Sequence, residues 1–171
     1  MVVLVDDAGR PVGALPKDQA HHADTPLHLA FSVYVFDGAG RFLATRRALT
    51  KQTWPGVWTN SCCGHPGPGE DAAAAARRRL RQELGLEVGR LDPVLPSFSY
   101  RAVAADGVVE NELCPVFFAR LDGDRTPAVA ADPAEVAEWR WVSWPAFRTV
   151  ALTAPWALSP WTAQQVRQLQ P

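Results

Sequence analysis

Apolar residues come in short blocks along the chain, most of them at the two-residue period of a strand, with one longer block patterned for a helix. Val2 to Val5 is the first block, closed by Asp-Asp-Ala-Gly, and Pro11 to Leu15 returns beside it. From His21 to His28 the pattern lapses, because Pro26 and the Ala-Asp-Thr run interrupt any period, and a loop is predicted. Leu29 to Phe36 (LAFSVYVF) is dominated by β-branched and aromatic residues and predicts a strand. Asp37 to Gly40 then turns the chain, and Arg41 to Arg46 completes a hairpin. Glu70 to Leu84 predicts a helix: an alanine run followed by RRRLRQEL, ending at Gly85, which suits a left-handed C-terminal cap. Val108 to Leu121 predicts one long strand, Pro133 to Glu138 a short helical turn, Trp139 to Val142 a strand and Thr162 to Leu169 a final helix. Strands mixed with a few helices predict an α/β or α+β layered domain, and the absence of repeats or a linker predicts a single domain over residues 1–171.

Composition narrows the function classes. A length of 171 residues with 47% hydrophobic content supplies a core without extra staples. The formal charge of -1, with acids and bases interspersed, provides no polybasic footprint for nucleic acid or membrane, so any anion site must be local. Three cysteines make an odd set, and Cys62 and Cys63 are adjacent, which favours a reducing compartment; a cytoplasmic location is expected. The opening MVVLVDDAGR is too briefly apolar for a signal peptide or a membrane span. No apolar seam calls for an obligate dimer, so a monomer is expected.

From Gly64 the chain reads GHPGPGEDAAAAARRRLRQELGL: a glycine, five residues, Glu70, seven residues, Arg78, then Glu83-Leu84-Gly85-Leu86. This spacing resembles the Nudix box, a loop-helix-loop that holds divalent cations against a diphosphate. Two places where that pattern carries acids hold Arg79 and Gln82 here, and Glu83 is what remains of the cluster. The depletion works against metal-assisted attack on phosphorus, while the cation at Arg79 strengthens the grip on a diphosphate. An Ala-rich amphipathic helix with a solvated arginine face is the plain alternative, and the glycines at both ends with the surviving glutamate weigh against it.

Three of the four histidines, His21, His28 and His65, lie beside small or turn-forming residues. Glu110 and Glu112 are two apart on a predicted strand, so both carboxylates project from one face, which repulsion penalises unless a cation sits between them. Three imidazoles and two carboxylates would make a mixed nitrogen and oxygen site suited to Mn2+, Zn2+ or, less tightly, Mg2+. The same period sorts the cysteines. If 61–65 is extended, Cys63 and His65 face one way and Cys62 turns toward packing.

With AHHADTPLHLAFS, RRALTKQTWPGVWTNSCCGHP, FSYRA, VENELCPVF and APWALSPW, the chain resembles the type I isopentenyl-diphosphate isomerases, a branch of the Nudix superfamily with a depleted box. The resemblance runs from Lys17 to Trp161 and implies a mixed β-sheet sandwiched between α-helices. It implies that His21, His28, His65, Glu110 and Glu112 bind one metal ion, and that Cys63 and Glu112 are the catalytic pair. It also implies that Glu83, with the Cys63 carbonyl, holds Mg2+ against a small allylic or homoallylic diphosphate substrate. Lys17, Arg47, Lys51 and Arg79 match positions that grip the diphosphate, and Tyr100 and Trp156 match aromatic groups near the reacting carbons.

Moving a double bond requires a proton added at one carbon and another removed two carbons away, so two acid-base groups must flank a five-carbon chain. The tertiary carbocation between those steps requires a dry pocket and an electron-rich aromatic face. A metal-bound carboxylate is a poor acid, so Glu112 donates only from its free oxygen or through Tyr100. A Nudix pyrophosphohydrolase acting on nucleotides and a non-catalytic Nudix-like binding module are the competing readings.

Overall fold

The computed structural model describes residues 1–121, 126 and 128–169. In chain order the strands and helices are β1 (Val2–Val5), β2 (Pro11–Leu15), α1 (Lys17–Ala20), β3 (His28–Leu29), β4 (Phe31–Phe36), β5 (Arg41–Arg47), β6 (Trp58–Thr59), β7 (Cys62–Gly64), α2 (Ala72–Leu84), β8 (Arg90–Leu95), β9 (Ser99–Val103), β10 (Val109–Leu113), β11 (Val116–Arg120), β12 (Val136–Ser143), α3 (Trp144–Thr153) and α4 (Pro160–Gln168), with a 3-10 turn at Pro155–Ala157.

Two mixed sheets result. The smaller runs β2-β1-β3-β10-β9, and the larger runs β12-β5-β4-β11-β8 with β6 on β5 and β7 on β4. The two sheets share a seam. The chain leaves β3 at Ala30 for β4, and leaves β10 at Cys114-Pro115 for β11, and these two passages lie side by side: β3 pairs β10 in parallel and β4 pairs β11 in parallel. Hydrogen bonds from Ala30 N to Leu113 O (2.9 Å) and Ser32 N to Pro115 O (3.0 Å) close the seam. Leu29 to Phe36 and Val108 to Leu121, each expected as one strand, are therefore each two strands in different sheets. At the second break Pro115 has no N–H to give a ladder, which suits it to the passage between sheets.

β4 is buried along its whole length because both faces are covered. Phe31, Val33 and Val35 face α2 with Leu43, Leu80 and Leu84. Tyr34 and Phe36 face the opposite core with Phe42, Phe147 and Trp161. A layered α/β arrangement is thus present, as expected.

The box helix starts two residues later than its sequence suggested. Asp71 caps it, accepting from Ala73 N and Ala74 N, a contribution of about 1 kcal/mol. Glu70 stays in the loop as the anchor of Arg78, through two bonds of 2.7 Å, and also accepts from Gly67 N at 2.8 Å. Gly85 ends the helix at φ 65, where a Cβ would come within 2.9 Å of Ala130. The helical turn expected over 133–138 is a tight turn that runs into β12 at Val136. Strand β8, the hairpin strand β9 and helix α3 had no sequence-based expectation. Among the described residues no helix is long and apolar enough to cross a membrane.

Candidate active site and metal centre

Strand register assembles the site at the seam. Glu112 on β10 pairs with His28 on β3 in one direction and with Tyr100 on β9 in the other. Across the seam Cys63 on β7 sits opposite Ser32 on β4. His65 follows β7 directly, and His21 terminates α1.

His21, His28, His65 and Glu112 each offer a ligand atom, all within 4.8 Å of one another. The donors are prepared for a cation. His28 Nδ1 donates to the Pro26 carbonyl at 2.9 Å, which leaves its Nε2 lone pair toward the cluster, 3.3 Å from His65 Nε2. Glu112 Oε1 stands 3.0 Å from His65 Nε2 and 3.6 Å from His28 Nε2. Burial pushes the His21 and His65 rings below the usual imidazole range, favouring the neutral form that ligates metal. Burial also opposes ionisation of Glu112, but the facing His28 and His65 rings overcome it and hold the carboxyl well below the usual carboxylate range, and the same carboxylate outweighs burial at His28 and pushes that ring up. With a cation in place of the proton that Glu112 favours on His28, three imidazoles and one carboxylate fit a transition metal such as Mn2+ or Zn2+.

Glu110 departs from the expected ligand set. It shares the buried face of β10 with Glu112, as its period required, but its carboxylate accepts from Thr53 Oγ1 and from the Tyr100 hydroxyl, both at 2.5 Å. These bonds engage both of its oxygens, and Glu110 is not among the four clustered donors. Tyr100 OH also lies 2.9 Å from Glu112 Oε2, so Oε1 of Glu112 faces the imidazoles and Oε2 faces the phenol. A phenol has one hydrogen and cannot donate to two carboxylates at once. The arrangement is satisfied when one carboxyl is protonated and itself donates to the phenol oxygen. Glu110 is suited to that, since burial and the neighbouring Glu112 push its carboxyl above the usual range.

A cavity of about 100 Å³ opens beside these groups, and its wall combines Cys63, His65, Tyr100, Glu110, Glu112 and Trp161 with the cations Lys17, Arg47, Lys51 and Arg79. Such a volume is well below the roughly 300–1,000 Å³ of drug-sized pockets, and suits a small substrate. The two thiols separate as their register required. Cys62 is 2% exposed and packs against α2, while Cys63 borders the cavity with Arg47 Nη1 3.9 Å from its sulfur. Burial pushes the Cys63 thiol up to about 12, with Arg47 opposing.

Trp156 does not reach the cavity. It is 85% exposed and lines a separate surface hollow with Trp54 and Pro160, because the 3-10 turn that carries it points outward. The indole in the wall is Trp161, which is 2% exposed. Ser159 caps α4 and Pro160 opens it, so Trp161 lies in the first turn, where its Nε1 donates to Asn60 Oδ1 at 3.0 Å. The Ser-Pro-Trp run is a helix-start signature that could have marked it. Arg47 sits 5.2 Å from the ring centroid of Trp161, so this face already holds one cation.

The four cations are unequally free. Arg47 donates to the Thr53 carbonyl at 3.1 and 2.9 Å. Burial and the like charges of Lys51 and Arg79 push the Lys17 ammonium down, a crowding that an anion would relieve. Arg79 and Lys51 are both paired with Glu135, a residue without a sequence-based role, and Arg79 is also paired with Glu83. Glu83 and Cys63 border a common small hollow. Glu83 Oε1 is buried and makes no hydrogen bond of acceptable geometry, although Arg79 Nη2 stands against it, and burial raises its carboxyl. A buried, poorly satisfied carboxylate oxygen suits a second, hard cation such as Mg2+.

A two-sheet core flanked by helices, with a Glu70-Arg78 clasp and a helix ending at Gly85, defines the Nudix class, and the NUDIX domain family matches residues 26–166. Within it the chain belongs to the isopentenyl-diphosphate Delta-isomerase family. It is 62% identical to the isopentenyl-diphosphate Delta-isomerase of Frankia alni over 96% of this chain and 83% of that relative. It is 58% identical to that of Mycolicibacterium vanbaalenii over 97% of this chain and 89% of the relative. The fold is shared with the Deinococcus radiodurans protein DR0079, at TM-score 0.74, 20% identity and 99% coverage of both chains. A MutT protein of Methanosarcina mazei aligns at TM-score 0.63 and 18% identity over 85% of this chain and 94% of that one.

The donor group carries a direct prediction. Mn2+ at a hundredfold excess over its Kd should stabilise the protein by about 2.7 kcal/mol, a rise in Tm of roughly 5–10 °C. In His65→Gln the rise should shrink sharply, read by thermal melts with and without the ion.

Proposed function

We propose that the protein interconverts isopentenyl and dimethylallyl diphosphate, acting as a single domain in the cytoplasm. The observation that carries this reading is one small cavity with a thiol, a carboxylate, an indole and four cations in its wall. The cations, Lys17, Arg47, Lys51 and Arg79, would anchor the diphosphate, so that binding energy far from the reacting carbons orients the short apolar tail.

A proton is added to the terminal methylene, giving a tertiary cation at the branched carbon, and a proton then leaves from the carbon next to the diphosphate-bearing one. The Glu112 edge of the site supplies the first proton. It sits on the carboxylate pair bridged by Tyr100, and Glu112 Oε2 faces the phenol rather than the imidazoles. Cys63 serves as the partner group. Its high proton affinity keeps it a thiol at neutral pH in the empty site, so it must first release its own proton to solvent, with Arg47 3.9 Å away to hold the thiolate, before it accepts the one leaving the substrate. Once the diphosphate draws Arg47 from its face, Trp161 offers the cation an attraction worth about 2 kcal/mol or more when desolvated, without a bond to form. His21, His28, His65 and Glu112 would hold a divalent ion that fixes this carboxylate and lowers its affinity for protons on Oε1. Glu83, with the Cys63 carbonyl, would hold Mg2+ beside the diphosphate. The free thiols Cys62, Cys63 and Cys114 suit a reducing compartment.

Incubating isopentenyl diphosphate with the protein in deuterated water, with and without chelator, tests the reading. Deuterium in the recovered diphosphates, lost with chelator, is expected. Release of inorganic phosphate or pyrophosphate without label would replace the isomerase with a hydrolase.

A further inference from the structure

Glu135 borders the small hollow that Glu83 and Cys63 share, and pairs there with two of the cations that line the cavity. Its carboxylate Oε2 meets Lys51 Nζ, and its Oε1 lies 3.1 Å from Arg79 Nη2. Arg79 in turn meets Glu83, so two carboxylates and two cations form a closed, charge-balanced group where a diphosphate would have to bind. The Glu135 backbone is fixed at both ends, its N–H donating to Asp132 O at 3.0 Å and its carbonyl accepting from Ala48 N at 3.0 Å. Only the side chain is free to leave.

We infer that Glu135 is the internal counter-ion of the diphosphate pocket and makes anion binding conditional on a divalent cation. The inference rests on the diphosphate reading above. An incoming diphosphate competes with Glu135 for Lys51 and Arg79. Once it wins, Glu135 and Glu83 are two part-buried carboxylates near one another with their cationic partners engaged elsewhere, and their repulsion opposes the bare anion. A divalent cation arriving with the diphosphate removes that penalty, because both carboxylates then face a positive charge. The pocket thereby discriminates metal-bound diphosphate from the free anion and from other anions of similar size.

Calorimetric titration of the full chain with inorganic pyrophosphate, in chelator and in Mg2+, tests this. For wild type, binding should depend strongly on Mg2+. In Glu135→Gln, binding in chelator should tighten about tenfold, equal to about 1.4 kcal/mol, and the enhancement by Mg2+ should shrink by a similar factor. Glu138→Gln is the control: that residue pairs with Arg46 and Arg140 at the surface, and both affinities should be unchanged. If circular dichroism shows Glu135→Gln misfolded, Glu135→Ala should give the same tightening. Isomerisation by wild type combined with no tightening in chelator for the Glu135 variant overturns this role alone. Failure of wild type to bind pyrophosphate in either buffer overturns the diphosphate reading with it.

Discussion

Glu112→Gln is expected to fold normally and to lose isomerase turnover by about 10²–10⁴-fold, the range of a positioned acid-base group. The amide preserves volume and keeps one oxygen able to accept from His65 or from Tyr100, so the seam between β3, β9 and β10 has no steric reason to open. What disappears is the carboxyl that can carry a proton on Oε2. Glu112 is paired with His28 and His65 and with none of Lys17, Arg47, Lys51 and Arg79, so KM should change little while kcat falls, the pattern of an interaction made only in the transition state. Glutamine is also a poorer metal ligand, so the kinetics should be repeated at saturating Mn2+, with occupancy confirmed by metal analysis. Recovery of turnover along with occupancy would reduce Glu112 to a ligand. Near-normal turnover without added metal would remove it from the chemistry altogether.

Much of this site is legible in the chain because it is built from periods of two. Glu110 and Glu112 share a face of β10, and Cys63 parts from Cys62 on β7, for the same reason: alternation along a strand is local and needs no tertiary information. Convergence is different. His28 meets Glu112 because β3 and β10 run in parallel at a seam between two sheets, and no local pattern reports a parallel pairing across 84 residues. The continuous apolar run through Leu113 and Val116 hides the passage at Pro115, and it reads as one strand although the proline forbids an unbroken ladder.

The sequence points to Trp156 and passes over Trp161 for a related reason. Two indoles five positions apart have the same composition around them, and only the docking of the α4 cap on Asn60 buries one and leaves the other in solvent. Glu110 shows the limit of a good local inference. The shared face was right, but the Tyr100 hydroxyl from the neighbouring hairpin strand and Thr53 from a loop 57 residues away engage its oxygens. Glu135 lies in a turn whose partners Lys51 and Arg79 are contributed by the loop after β5 and by α2, so its role exists only once the chain is folded.

The two adjacent cysteines make the sharpest contrast available in the molecule. Cys63→Ala should reduce turnover by at least about 10²-fold with a normal fold, since the sulfur borders the cavity and contributes little to the core. Cys62→Ala should retain most activity and lose about 1 kcal/mol of stability, because that sulfur is packed among Phe31, Leu80 and Leu84. Equal losses of activity would mean that the register of β7 is wrong. Alkylation offers a check that does not depend on turnover. Because burial holds the Cys63 thiol protonated up to about 12, the metal-free protein should react with iodoacetamide more slowly at neutral pH than a free cysteine does. Its rate should still be climbing above pH 9, where an ordinary thiol, with a pKa near 8.5, is levelling off. A Cys63 that reacts at the ordinary rate at neutral pH would be a ready thiolate. The proton inventory of the site would then have to be redrawn, with the sulfur as the resting base and the Tyr100-bridged carboxylates as the only store of the proton to be delivered.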